Sequence, residues 1–255
     1  MFNYMSESQI RKDICDIGQR MYDKGFVAAN DGNISVRLED EIIIVTPTGI
    51  SKGNMDPNEM VKMNLDGEII SGRSKPSSEV KMHIEVYKQN LELRSVVHAH
   101  PPICTAFAVA RRPLDKPIIS EAIMGLGIVP LAKYAKPGTL EVPQSVIPFV
   151  KEYNAVLLAN HGLLTWGEDI LQAFFRMESA EHYAKILYHL EKIGEPQELN
   201  CSEVGDLVEI RENLGVSTGG RPICKADGMT DLDIEQVVKM ITLKIVDELS
   251  VSKFD

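Results

Sequence analysis

Three of the six histidines stand where a metal ion could be held. In "VVHAHPP", residues 96 to 102, His98 and His100 are one residue apart ahead of a double proline. Residues two apart on a strand share a face. Both imidazoles therefore project together while Ala99 points away. The spacing suits two rings converging on one ion, with Zn–N bonds of about 2.0–2.1 Å. The alternative is two rings on an ordinary strand. "ANHG" places His161 where an apolar strand meets a turn, beside Gly162. Strand ends that open into loops are where sites gather, and a third neutral imidazole would make a three-histidine set. "KPSSEV" places Glu79 in the first turn of a helix, where the helix dipole favours a carboxylate. Glu79 is thus either a helix-stabilising acid or a fourth ligand able to act as a base. His83 falls four residues later and is read as a packing or supporting residue. Glu178, His182, Lys185 and His189 share one polar helical stripe, read as a solvated face.

Three short segments could cradle an anion. "DGNIS" offers flexible backbone N–H groups, with Gly32 and the Asn33 amide. "TPTGIS" offers Thr48 and Gly49. "KPSSE" offers the Ser77 and Ser78 hydroxyls at a helix start. Backbone donors aided by a helix dipole bind phosphate, and each segment alone is also ordinary turn chemistry. Spacing does not say whether the three converge.

The elements that must position these residues follow from periodicity and punctuation. Ser6 to Lys24 is predicted helical, with a Ser6/Gln9 capping box, apolar Ile10, Ile14, Ile17 and Met21, and Gly25 as the stop. "ISVRL" and "EIIIVTP" form a hairpin through Glu39 and Asp40, and "MVKMN" pairs with "EII" across "LDG". Helices are predicted over 77–90, 103–111 and 144–153, the second starting after the double proline. "RSVVHAH", "AVLLANHG" and "LLTWG" are strands. Asp169 caps a long helix to about Ile193, closed by Gly194 and Pro196. Hairpins followed by alternating strands and helices predict an α/β chain with a mixed sheet. After a glycine-bearing loop over 213–229, Ile234, Val237, Val238, Ile241, Ile245 and Leu249 mark an amphipathic helix, either docked on the core or at a subunit contact.

The totals bound the function. The 255 residues carry 27 Lys and Arg against 37 Asp and Glu, a formal net charge of -10. Wrapping nucleic acid needs clustered cations, so no nucleic-acid partner is expected; one small phosphorylated ligand in a local pocket is compatible. No basic start precedes an apolar core, and no apolar run approaches the roughly 20 residues that span a bilayer. No signal peptide, no membrane contact and a cytoplasmic location are therefore expected. Cys15, Cys104, Cys201 and Cys224 form no CxxC and are expected to be reduced thiols.

"DGNISVR", "TPTGIS", "PSSE", "HAHPP", "YAKPGT" and "NHGLLTWG", in that order from about Ile10 to Pro196, resemble the class II sugar-phosphate aldolases. That superfamily includes L-fuculose-1-phosphate aldolase, ribulose-phosphate 4-epimerase and the adducin head. The resemblance implies a three-layer α/β/α fold with a mixed, mostly antiparallel sheet, in a homotetramer with C4 symmetry and sites near the subunit interfaces. The catalytic domain is then expected over residues 1–197, with 198–255 a C-terminal helical extension packed on the core or at an interface. The resemblance implies one zinc, or another divalent cation, per subunit, held by His98, His100, His161 and Glu79. It makes Glu79 the acid–base group and assigns phosphate binding to Gly32, Asn33, Thr48, Gly49, Ser77 and Ser78. Such aldolases place a tyrosine near residues 118–125 and another in the C-terminal tail. This chain has "IISEAIMG" at the first place, with Glu121 as a stand-in, and no tyrosine after Tyr188. The implied reaction is reversible cleavage of a ketose 1-phosphate, such as L-fuculose 1-phosphate or 5-deoxyribulose 1-phosphate, to dihydroxyacetone phosphate and an aldehyde. A 4-epimerase, dehydratase or decarboxylase of the same superfamily is the nearest alternative. A non-catalytic zinc-binding oligomeric module is the alternative of a different class.

Overall fold

The computed structural model describes residues 6–224. Helix α1 (Glu7–Asp23) leads into two hairpins, β1 (Asn33–Glu39) with β2 (Ile42–Val45) and β3 (Val61–Asn64) with β4 (Ile69–Ser71). Next come α2 (Val80–Gln89), β5 (Ser95–Ala99), α3 (Pro102–Val109), α4 (Ser120–Gly125), β6 (Leu131–Ala132) and α5 (Glu141–Val146). The chain continues through β7 (Ala155–Leu158), β8 (Gly162–Gly167), α6 (Ile170–Ile193) and α7 (Cys201–Asn213). The strands form one sheet in the order β4-β3-β2-β1-β5-β8-β7-β6. Every neighbouring pair is antiparallel except β6 with β7.

Alternation along each strand divides the core in two. Val97, Ile44 and Leu157 pack with Ile14 and Ile17 of α1 and Phe174 and Met177 of α6. Their neighbours Val96, Ile43 and Val156 face the other way, onto Val86 and Tyr87 of α2 and Val146 of α5. Removing each such aliphatic side chain from water contributes roughly 1.5–3 kcal/mol, so both faces of the sheet must be covered. The result is the expected α/β/α layering around a mixed, mostly antiparallel sheet.

Several local expectations are corrected. Ser6 caps α1 by accepting from the Gln9 amide, but the Gln9 side chain bonds Asp13, so the capping box is not reciprocal. The helix expected over 144–153 begins earlier, at Glu141, and gives way to a 3-10 turn at Ile147–Phe149. Pro148 supplies no N–H to continue the α ladder. Helix α7 was not predicted, although Asn200 and Glu203 form a reciprocal capping box at its start. The four-thiol expectation also fails: Cys201 and Cys224 form a disulfide, with Cα atoms 5.1 Å apart, while Cys15 and Cys104 are free. The loop after α7 folds back and brings Cys224 within bridging range of the helix start.

Residues 199–220 are bonded to the body of the fold. Leu199 N donates to Pro117 O, Ile128 N donates to Gly219 O, and Gly219 N donates to Glu152 O. The amphipathic helix expected around Ile234 to Leu249 lies outside the described residues. Among the described residues, no helix is long and apolar enough to cross a membrane.

Candidate metal centre

Antiparallel pairing gathers the candidate residues at one edge of the sheet. β5 ends there at Ala99, β7 ends there at Leu158, and β1 and β8 begin there. Asn33 on β1 is the cross-strand partner of His98. His98 is fully buried on β5, and His100 lies one residue past the strand. His161 sits in the tight turn between β7 and β8, where its N–H closes on Leu158 O. Gly162, which follows it, has no room for a side chain: a Cβ would lie 2.5 Å from Ala99 O and 2.6 Å from the His100 ring. Gly32 holds the other approach, with φ +75° and a Cβ position 3.0 Å from His98 O.

The three imidazoles converge. Their ring centroids are 4.7–5.2 Å apart, and one ring nitrogen from each lies within 4.8 Å of the others. Glu79 completes the group. It lies at the N-cap of α2 rather than inside the first turn, and its carboxylate makes no capping bond. That leaves it free to face the rings: Oε1 is 2.9 Å from His161 Nε2, and Oε2 is 3.5 Å from His98 Nε2. Asn33 Nδ2 donates to Oε2 at 2.7 Å.

The donor set fits a divalent cation. His98 Nδ1 bonds the Leu163 carbonyl at 2.9 Å. A carbonyl only accepts, so Nδ1 carries the proton and Nε2 presents its lone pair. His100 Nδ1 faces Asp31 Oδ2 at 3.3 Å, which orients that ring in the same sense. The Nε2 atoms of His98 and His100 are buried with no hydrogen-bond partner. Buried polar atoms are rarely left so, and a metal ligand held by a partner on its other nitrogen is a recurrent arrangement. Burial drives the His98 imidazole well below its ordinary pKa, against the pull of Glu79, which keeps the ring neutral as a ligand must be. Burial alone would push the Glu79 carboxyl up; His98, His161 and Asn33 outweigh it and hold it below the usual carboxylate range.

His83 stays out of the cluster. Its Nδ1 bonds Ser35 Oγ, which also bonds Tyr87 Oη, and burial lowers its pKa to about 4. His182, Lys185 and His189 face solvent and Glu178 pairs with Lys24, as a solvated stripe should. Sequence reasoning missed Asp31, and it missed Glu181, whose buried carboxylate accepts from the Ile103 and Cys104 N–H groups. Glu181 thereby anchors the helix that begins two residues after His100. Glu121 is exposed on α4, which packs on α6 and α7; it makes no hydrogen bond or ion pair with a described residue.

The three expected anion segments lie side by side. Thr48 N donates to Lys75 O, Ser77 N donates to Thr46 O, and Thr46 N donates to Ile34 O, next to Asn33. Ser77 Oγ accepts from the Glu79 amide. Gly49 follows Thr48 directly, and Ser78 is exposed between Ser77 and Glu79.

The Class II Aldolase and Adducin N-terminal domain family matches residues 12–188. The chain belongs to this family. Among curated members, it is 33% identical over 210 residues to the 3-oxo-tetronate 4-phosphate decarboxylase of Escherichia coli K12, covering 80% of this chain and 96% of that one. It is 34% identical over 207 residues to the 5-deoxy-D-ribulose 1-phosphate aldolase of Bacillus thuringiensis, covering 80% and 96%. Among solved structures, an L-fuculose 1-phosphate aldolase superposes with a TM-score of 0.75 at 30% identity, covering 82% of this chain and 98% of that one. The matched span, residues 12–188, includes every segment that carries the cluster.

Proposed function

We propose that this protein is a zinc-dependent carbon–carbon lyase that breaks the C3–C4 bond of a ketose 1-phosphate and releases dihydroxyacetone phosphate and an aldehyde. The observation that carries the reading is the Glu79 carboxylate set against His98 and His161, with unpartnered imidazole nitrogens beside it. Lewis-acid stabilisation of the negative charge that develops on the keto oxygen and its neighbouring hydroxyl oxygen is what a divalent cation would supply at such a site. Gly32, Asn33, Thr48, Gly49, Ser77 and Ser78 receive the phosphate through backbone N–H groups, an amide and hydroxyls. Glu79 moves the proton on and off the carbon that becomes the hydroxymethyl group of dihydroxyacetone phosphate. Asn33 holds one Glu79 oxygen and so sets the direction from which the other approaches that carbon. In the aldol form of the reaction, Glu121 of a neighbouring copy exchanges the proton of the aldehyde oxygen.

A second reading is favoured by a specific observation. Glu79 and Asp31 are the carboxylates that touch the histidines among the described residues, and Asp31 is engaged in orienting His100. Loss of carbon dioxide from a 3-oxo-tetronate phosphate leaves the same enediolate and needs only one proton, delivered to carbon. Aldol cleavage needs a second proton carrier for the aldehyde oxygen. The likeness to the decarboxylase points the same way.

One assay separates these readings. The zinc-loaded protein is offered a panel of ketose 1-phosphates and 3-oxo-tetronate 4-phosphate, and dihydroxyacetone phosphate, aldehyde and carbon dioxide are measured. Aldehyde with dihydroxyacetone phosphate establishes the aldolase. Carbon dioxide with dihydroxyacetone phosphate establishes the decarboxylase. Stoichiometric zinc with no turnover across the panel refutes both and leaves a binding module.

A further inference from the structure

The six residues assigned to the phosphate carry no charge, yet the group they receive is a dianion. A cation is present close by, and it is buried. Lys52 is 1% exposed in the 3-10 turn Lys52–Asn54, which packs on α1. Its Nζ donates to Ile50 O at 2.6 Å and to Asn30 O at 3.3 Å. Ile50 follows Gly49, and Asn30 stands two residues before Gly32. The ammonium thus ties one half of the cradle to the other. An ammonium has three donors, and the third meets no described residue.

A buried lysine needs a reason. Removing an ammonium from water is costly unless something compensates it, and two carbonyls compensate only in part. Burial pushes its pKa down from 10.5 to about 8, with Asp31 pulling it back up. Among the described residues, Asp31 is the charged group that acts on it. Helix α1 meets the same turn through Gly18 and Tyr22, and Asp56 and Glu59 line the cleft shared with Gly49 and Ile50. A methionine of similar length would fill the volume without this cost, so packing does not account for a charged group here.

We infer that Lys52 is a positioning residue for phosphate: it clamps residues 30–33 to residues 48–50 and supplies the buried positive charge that favours a dianion between them. The inference rests on the phosphate reading of those segments. It gives the site a built-in alkaline limit, because the charge that favours the ligand is lost as the ammonium deprotonates. An arginine in its place stays charged throughout.

The probe is inorganic phosphate, titrated calorimetrically into the zinc-loaded protein from pH 7.5 to 9.5. Wild type is expected to lose affinity about tenfold across this range, as a group titrating at about 8 passes from mostly charged to almost wholly neutral. Lys52→Arg should lack that loss, and Lys52→Met should bind weakly at every pH. Phosphate's own ionisation and any contribution of the metal are common to wild type and Lys52→Arg, and cancel in the comparison. A flat wild-type profile, or the same slope in Lys52→Arg, overturns the inference while leaving the cradle intact. Wild type that binds no phosphate at millimolar concentration overturns the cradle and the inference together. A flat wild-type profile overturns the inference even where a variant does not fold.

Discussion

Replacing Gly162 by alanine tests the closeness of the sheet edge to the histidines. A Cβ at residue 162 would lie 2.5 Å from Ala99 O and 2.6 Å from His100 Cδ2, where approaches under 3.0 Å essentially never occur and ordinary contact begins at 3.4 Å. β8 and the end of β5 must therefore part by roughly 0.5–0.9 Å, the difference of those distances. Overpacking of this kind costs about 1–3 kcal/mol, and the loss of glycine's freedom in the unfolded chain returns about 0.4–1 kcal/mol. The net loss is about 1–2 kcal/mol, or a fall in Tm of about 2–8 °C for a domain of this size. The effect on metal is larger than the effect on stability. Metal–ligand distances tolerate only about 0.2 Å, so a His100 ring displaced by several tenths of an ångström no longer closes the set. Zinc affinity, measured by competition with a chelator, should fall about 10–100-fold. A variant that melts early yet binds zinc as tightly as wild type would show that His100 is not a ligand.

Three further outcomes are expected. Lys52 holds a folded pKa of about 8 against 10.5 unfolded, so between those values the unfolded chain binds the extra proton and stability rises with pH. Urea unfolding of wild type should gain about 2 kcal/mol relative to Lys52→Met from pH 7 to 9.5. Buried Tyr87 and Cys15, whose pKa values burial raises, act oppositely in both proteins and cancel; parallel profiles refute the prediction. Glu79→Gln should keep a bound cation through the three imidazoles but abolish exchange of the dihydroxyacetone phosphate proton with deuterated solvent; surviving exchange places the base elsewhere. Asp31→Asn should weaken zinc binding about 10–100-fold by releasing the His100 ring, and unchanged binding in the chelator assay would deny Asp31 that orienting part.

The histidine cluster was legible in the sequence where local geometry is decisive. The extended chain through "HAH" brings His98 and His100 to one side although β5 ends at Ala99 between them, and the strand-to-turn change at "ANHG" marks His161. Asp31 and Lys52 were not legible, because their roles depend on partners from other segments: Asp31 reads as a turn acid, and a lysine reads as exposed by type. Glu181 was hidden beside the polar stripe of its helix, since nothing in helical spacing says which carboxylate turns inward to meet α3. Helix α7 was legible in principle through Asn200 and Glu203, but its low amphipathicity left no periodic signal. The Cys201–Cys224 bridge spans 23 residues with no motif and depends wholly on where the loop after α7 returns.

The ladder around His98 makes strand pairing and ligand chemistry inseparable. His98 lies opposite Asn33 on one side and Leu164 on the other, and its Nδ1 is held by the carbonyl of Leu163. A slip of β5 by a single residue would turn His98 toward α6, take Asn33 out of line with Glu79 and leave the wrong carbonyl beside the ring. With a metal held there as proposed, ion occupancy would report on register: a chain whose central strands closed one residue out of step would lack the ligand set, a folding error that far-UV spectra would pass unnoticed.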